Sequence, residues 1–237
     1  MNNAAIASKL QTMLGLSRTP VALTWVDAPP DMVQTVDRPV PSACTFWTLA
    51  ESDVFYAPDA THSNCPVGAM TMGFELTEQT QTNLMTIVEK MISDVYLGSE
   101  EPPVIPTMQS PAQGIVYGPL SEFPLDPDAV LMWLTPATTM LFNEASGDAA
   151  WNDTARGGAL GRPTCGALPR AINGDRPVTS LGCAGMRTFT GVPDDLLLAV
   201  VPGPMLGTFV GRLEDALGAN AAMQEFYDAH RAEFMNS

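Results

Sequence analysis

Residues 127–141 read PDAVLMWLTPATTML, and residues 193–207 read PDDLLLAVVPGPMLG. Each begins Pro-Asp, runs through an apolar stretch of strand length, and reaches a proline nine residues after the first one. Proline suits the first turn of a helix, where its missing N–H costs nothing. Each stretch therefore reads as a buried strand feeding a helix, with helical residues through about Glu144 and Leu217. A short apolar run alone does not separate a buried strand from a buried helix; the flanking prolines decide for the strand. Two such units point to an α/β or α+β fold, a mixed sheet with packed helices around a duplicated strand–helix core.

Outward from these units, the N-terminal residues 3–14 predict an amphipathic helix. Ile6, Leu10, Met13 and Leu14 share one face and Gly15 stops it. VALTWV at 21–26 predicts a strand, 43–50 a short helix, and 54–57 a strand. Leu84, Ile87, Val88, Met91 and Val95 repeat at helical spacing and predict a helix over 77–95. A proline-rich loop follows at 99–113, then a strand, GIVYG, at 114–118. At the C-terminus, Leu206, Phe209, Val210, Leu213 and Leu217 make one stripe closed by Gly218. Met223, Phe226, Tyr227, His230 and Phe234 make the next, so a C-terminal helical pair is expected, with His230 at the edge of the core. The whole is expected to be a single domain over 1–237, two intimately joined halves of approximately 1–125 and 126–237.

A second correspondence runs through the cysteines. Arg38-Pro39 precedes Cys44, and Arg162-Pro163 precedes Cys165. Cys65 leads CPVGAMTMG and Cys183 leads CAGMRTFTG, with seven residues between cysteine and final glycine in both. This too suggests a degenerate internal duplication.

The charge balance excludes some functions. The 237 residues carry 26 acidic side chains against 11 basic ones, a formal net charge of −15. Nucleic-acid binding needs a basic footprint that displaces counterions, and an anionic membrane surface would repel this chain. Apolar residues are 46% of the chain, enough for a substantial core, yet no run is long enough to span a bilayer. The N-terminus lacks the pattern of a signal peptide, so a cytoplasmic home is expected. Thiols stay reduced there, which leaves the four cysteines free, metal-bound or catalytic.

Cys44, Cys65, Cys165 and Cys183 form no C-x-x-C pair. Their context carries the reading. Cys65 in NCPVG, Cys165 in RPTCG and Cys183 in SLGCAGMR lie in loop or turn sequence rather than in apolar runs. A soft metal or cluster takes thiolates from such loops, with backbone N–H groups turned toward the sulfurs. Cys44, in ACTFWTL, is the least distinctive and also reads as a buried thiol. Four thiolates match a four-iron four-sulfur cluster or a zinc site; His62 is an alternative fourth ligand to Cys44. Inert thiols and a catalytic thiolate remain the other readings.

The few cations concentrate. Arg156, Arg162, Arg170, Arg176 and Arg187 are five of the 11 basic residues, all in one glycine-rich stretch. Glycine loops turn amides toward anions, and arginine adds a two-pronged donor for carboxylate or phosphate. The alternative is an arginine-rich loop paired with surplus surface carboxylates.

RPTCGALP through SLGCAGMR, CTFWTLAESDVFYAP with HSNCPVGAM, and PDAVLMWLTP together resemble the family known as domain of unknown function 169, over roughly Arg18 to Val201. The resemblance implies a bacterial or archaeal cytoplasmic protein of about this length. It also implies that Cys65, Cys165, Cys183 and Arg187 share a site; it supplies no reaction.

The expectation is an iron–sulfur protein with Cys44, Cys65, Cys165 and Cys183 as ligands. Arg187, helped by Arg162 or Arg170, would hold a small anionic metabolite, and Cys183 and Arg187 would act in a redox or Lewis-acid reaction that draws on an electron-transfer partner. The alternatives are a zinc-stabilised ligand-binding module, an enzyme with Cys183 as nucleophile beside Arg187, and a haem site at Cys65 or His62.

Overall fold

A computed structural model describes residues 2–95, 105–109, 112–147 and 164–235. Its elements run α1 (Asn3–Leu14), β1 (Val21–Val26), β2 (Gln34–Thr35), α2 (Thr45–Leu49), β3 (Phe55–Pro58), α3 (Pro66–Thr71) and α4 (Glu78–Val95). They continue with β4 (Gly114–Pro119), β5 (Ala129–Leu134), α5 (Pro136–Ser146), α6 (Ala167–Gly174), β6 (Val178–Ser180), α7 (Ala184–Thr190), β7 (Leu197–Pro202) and α8 (Leu206–Met235). Asn2 caps α1 by accepting from the Ala5 amide, and Gly15 closes it in the left-handed region at φ 55°. Pro136 occupies the first turn of α5, with Thr135 as its cap.

The strands form one seven-stranded sheet in the order β2-β3-β4-β1-β5-β7-β6. It is antiparallel except for the parallel pair β2 and β3. Side chains alternate across it, as the pleat demands. Leu131, Trp133, Leu198, Val200, Ile115 and Tyr117 face one core with α2, α3, α6 and α7. Val130, Met132, Leu134, Ala199, Val201 and Val116 face the other with α1, α5 and α8.

Six of the seven strands, all but β2, are internally repeated. Val21 pairs with Pro119 and Trp25 with Ile115 between β1 and β4; Ala129 pairs with Pro202 and Trp133 with Leu198 between β5 and β7. Laying VALTWV of β1 on AVLMWL of β5, and Pro119 on Pro202, superposes one register on the other. The same alignment matches Phe55 to Val178 through the β3–β4 and β6–β7 pairings. β1 and β5 meet at the centre, where Ala22 opposes its own counterpart Val130. A local two-fold therefore runs through the sheet between them. The two apolar runs at 127 and 193 are neighbours, not copies: β5 answers to β1, and β7 to β4. The cysteine correspondence does follow the two-fold, relating α2 to α6 and α3 to α7. Gly73 and Gly191, the glycines that end the two nine-residue motifs, both have positive φ, at 83° and 64°.

The expected C-terminal helical pair is a single helix. α8 continues through Gly218 for 30 residues. A mid-helix glycine costs about 1 kcal/mol, and the burial of Leu206, Phe209, Val210 and Leu213 outweighs it. Nor is the second stripe core: Met223, Phe226, Tyr227 and Phe234 are about half exposed, and His230 bonds through Nδ1 only to the Phe226 carbonyl of its own helix. Among the described residues no helix is long and apolar enough to cross a membrane.

Candidate functional site

Cys44, Cys165 and Cys183 pack in the first core, and Cys65 lies near enough to Cys165 to be raised by it; the four come from separate chain segments. Cys44 immediately precedes α2, which Phe46 and Trp47 anchor in the core. Cys65 precedes α3, whose first turn starts with Pro66. Cys165 lies in a tight turn, Thr164–Gly166, that runs into α6. Cys183 precedes α7, and its sulfur accepts from the Met186 amide at 3.5 Å.

The two-fold makes Cys44 the counterpart of Cys165, and these two are hydrogen-bonded to each other. Both are buried, whereas Cys65 and Cys183 are half-buried. The central pair is unequal. Cys165 is pulled below the ordinary thiol value, first by the Cys44 thiol and then, against its own burial, by the Thr71 hydroxyl and the amides of Cys165 and Gly166. Cys44 is pushed well above that value by the bond it donates to Cys165, by burial, and by the charges of Cys165, Cys183 and Cys65. Of the pair, Cys165 is therefore the more acidic thiol and Cys44 the one that holds its proton longer. Cys65 is raised by burial and by Cys165; the amides of Ala43 and Gly68 and the Ser42 hydroxyl pull it partly back.

Around these sulfurs lie polar groups without an oxygen or nitrogen partner. Thr45 Oγ1 and Thr164 Oγ1 are buried and unsatisfied beside Cys44 and Cys165, and buried Thr71 Oγ1 has no oxygen or nitrogen partner and acts on the Cys165 sulfur. Buried donors normally find acceptors, so the two partnerless hydroxyls beside this thiol pair mark a place where an acceptor would fit. Tyr117 on β4 faces the same site, its hydroxyl pushed well up by burial and then by Cys44 and Cys165. Sequence reasoning missed Tyr117, Thr71 and Ser42. The signal for Tyr117 was its alternation with Ile115 on the same strand; nothing local marked the other two.

His62 is no ligand to these thiols as placed. Its Nδ1–H donates to the Pro58 carbonyl at 3.0 Å, so Nε2 is the nitrogen that accepts from Tyr117 Oη, also at 3.0 Å. Phe46, Phe74 and Tyr117 enclose the ring. Burial lowers its pKa to about 4, only partly offset by the carbonyls of Pro58 and Asp59. Among the described residues, no group of three or more His, Cys, Asp or Glu side chains is gathered so as to hold a metal ion.

Arg187 on α7 is engaged chiefly with backbone. Its Nη1 donates to the Pro193 carbonyl, and its Nη2 to those of Leu181 at 3.0 Å and Leu196 at 2.7 Å. Its Nε stands 3.8 Å from the exposed Asp194 carboxylate. The guanidinium thereby ties the loop before Cys183 to the loop before β7. Arg170 lies half-buried on α6 and has interaction partners. Arg156 and Arg162 fall outside the described residues.

Neither the curated proteins nor the solved structures hold a match to this chain. One protein family does match, over residues 9–212, and its description is "Uncharacterised ArCR". That span takes in both halves of the repeated sheet and all four cysteines, and the chain belongs to this family, domain of unknown function 169.

Proposed function

We propose that the protein binds an iron–sulfur cluster, of the four-iron four-sulfur type, through Cys44, Cys65, Cys165 and Cys183. On this reading it serves as a redox or Lewis-acid centre for a small anionic metabolite, in a reducing compartment such as the cytoplasm. The observation that carries the reading is that all four thiols, two from each half, lie near enough for Cys65, Cys165 and Cys183 to raise Cys44 electrostatically; as placed they are not gathered closely enough to hold a metal, so loading would draw them together. Two further features support it. Amides of Ala43, Gly68, Gly166 and Met186 are directed at sulfur, the arrangement that stabilises cluster thiolates. The unsatisfied threonine hydroxyls would find acceptors in bridging sulfides. Loading requires Cys44 to give up its proton and the Cys44–Cys165 bond to open. A structural zinc fits less well: zinc staples folds that lack a core, and this sheet is already covered on both faces.

The test is anaerobic purification with metal and sulfide analysis. The expected result is broad absorbance near about 400 nm with about four iron and four sulfide per chain. Colourless protein without iron overturns the reading, and equimolar zinc supports the stapled module instead. One observation favours a second reading: Cys165 is made the more acidic thiol of a buried pair, which suits a nucleophile. Cofactor-free protein whose activity is abolished by Cys165→Ser would establish it.

A further inference from the structure

The last turns of α8 run out beyond the domain. Asn220 bonds to Glu144 of α5. From Ala221 to Met235 every residue is exposed except His230, which is half-buried. An isolated helix of about 15 residues is marginal in water, and helices in proteins owe most of their stability to a packed apolar face. This stretch has such a face. Leu206, Leu213, Asn220, Tyr227 and Phe234 are seven residues apart, and Phe209, Ala216, Met223 and His230 fall between them at the three-four spacing of a coiled-coil seam. The first half of the seam is buried in the domain at Leu206, Phe209 and Leu213. In the second half Met223, Phe226, Tyr227 and Phe234 are 49–54% exposed. The rings of Phe226, Tyr227, His230 and Phe234 stack along the helix with centroids 4.4–6.4 Å apart.

Area and charge decide what lies on this face. An aromatic side chain buries about 200 Å², and about half of that is exposed here, so the face offers roughly 500–600 Å². Two copies of it together bury about 1,100 Å², and a specific interface needs about 1,000 Å². The seam carries no acid in a chain with 26 of them; helical spacing puts Glu225 and Asp228 on the opposite side. The sequence of the seam is also its own complement when reversed. Antiparallel, Met223 meets Phe234 of the second copy, a sulfur–aromatic contact, and Tyr227 meets His230. The His230 Nδ1–H donates to the Phe226 carbonyl at 2.8 Å, so its Nε2 is left to accept from that tyrosine hydroxyl. On the flanks Arg231 comes beside Gln224, and no acid faces another. Each chain carries −15. Antiparallel pairing holds the two bodies about 20 Å apart along the helices, more than twice the Debye length at physiological salt; parallel pairing would set them side by side.

We infer that the C-terminal turns of α8 pair antiparallel with the same turns of a second copy of this chain, about an axis between residues 228 and 229. The seam that docks α8 on its own domain thus continues as the seam between two copies.

Sedimentation equilibrium of the full chain tests this. The mass is expected to rise from 25.2 kDa toward twice that value, with a Kd of about 10 µM for an interface of this size. Tyr227→Glu puts a carboxylate in the middle of the seam and should weaken pairing about tenfold or more. Glu225→Gln, on the opposite side, should leave it unchanged. Both positions are exposed, so an unchanged Tm of the Tyr227→Glu monomer shows that its fold is intact. Gln224→Glu reads the direction: it sets a carboxylate beside Arg231 of the other copy at both ends, and should tighten pairing about threefold at low salt. A chain that stays monomeric up to about 200 µM, twentyfold above that Kd, or a dimer that survives Tyr227→Glu, overturns the inference. A monomer that holds a different protein through this face overturns the second copy as occupant. Gln224→Glu without a gain overturns the antiparallel arrangement.

Discussion

Acidification should destabilise this fold through His62. The imidazole is fully buried, stacked among Phe46, Phe74 and Tyr117, and neutral. The unfolded chain takes up its proton at the ordinary value of 6.5, and the folded protein only at about 4. Between those values the unfolded state binds more protons, so the free energy of unfolding falls as the pH falls. At about 1.36 kcal/mol per pH unit, the loss is about 2 kcal/mol at pH 5 and about 3 kcal/mol once the pH is below 4. Above 6.5 the contribution is fully retained.

Urea unfolding of metal-free protein at pH 7, 6 and 5 measures it. Asp128, which burial raises above the ordinary carboxylate value, adds its own acid dependence, so the informative quantity is the difference between wild type and His62→Gln. That difference should shift by about 2 kcal/mol between pH 7 and pH 5. A second measurement stays valid even if the variant folds poorly. The chain has only two histidines, so nuclear magnetic resonance resolves both rings, and His230→Gln assigns them. Parallel stability curves, or a His62 ring that titrates near 6.5, would refute the reasoning.

Three other outcomes follow from particular contacts. A Cβ at Gly203 would lie 1.5 Å from the Pro127 carbonyl oxygen, where Gly203 N–H also bonds Asp128 O at 2.8 Å; Gly203→Ala should cost about 3 kcal/mol or more in urea unfolding. Gly218 sits mid-helix with nothing within 4 Å of its Cβ position, so Gly218→Ala should stabilise by about 1 kcal/mol, read as a raised Tm. Thr71→Val removes a donor to Cys165; the thiolate absorbance of metal-free protein should then appear at higher pH than in wild type, and an unmoved titration would count against the hydroxyl's role.

Much of the fold was legible because its signals are local. β5 and β7 are short apolar runs bounded by proline, and α1 ends on a glycine that adopts the left-handed conformation. β2 was not legible. Two residues in a polar, proline-rich stretch carry no period, and only the edge of β3 makes them a strand. Gly218 misled because propensity is a weak local term, outweighed here by the stripe from Leu206 to Leu213. The repeat was half-read for a similar reason. VALTWV and AVLMWL share only a leucine and a tryptophan in register, so their kinship is visible in strand pairing rather than in spelling. The cysteines stood out by their loop context, but which of them meet depends on the sheet's central junction, which no window of sequence contains. Arg187 looked like an anion donor from composition; its Nη atoms go to three carbonyls that sequence does not reveal.

The internal two-fold also explains why the central thiols differ. On a symmetry axis each residue meets its own counterpart, so an exact repeat would set Cys44 and Cys165 in identical surroundings with no preference for the proton. The preference must come from positions where the halves have diverged. Thr71 and Phe189 are such a pair, each six residues after its motif's cysteine. Thr71 is buried and gives its hydroxyl to Cys165; Phe189 is 48% exposed and has no hydroxyl to give to Cys44. Gly68 and Met186 diverge too: Gly68 lets α3 press against Ala43 and Cys65, whereas Met186 lays its side chain over Gly182. The first half thus supplies the Thr71 hydroxyl and the closer packing around its outer cysteine. A thiol pair whose two members differ in acidity is what that divergence produces, and neither half alone contains it.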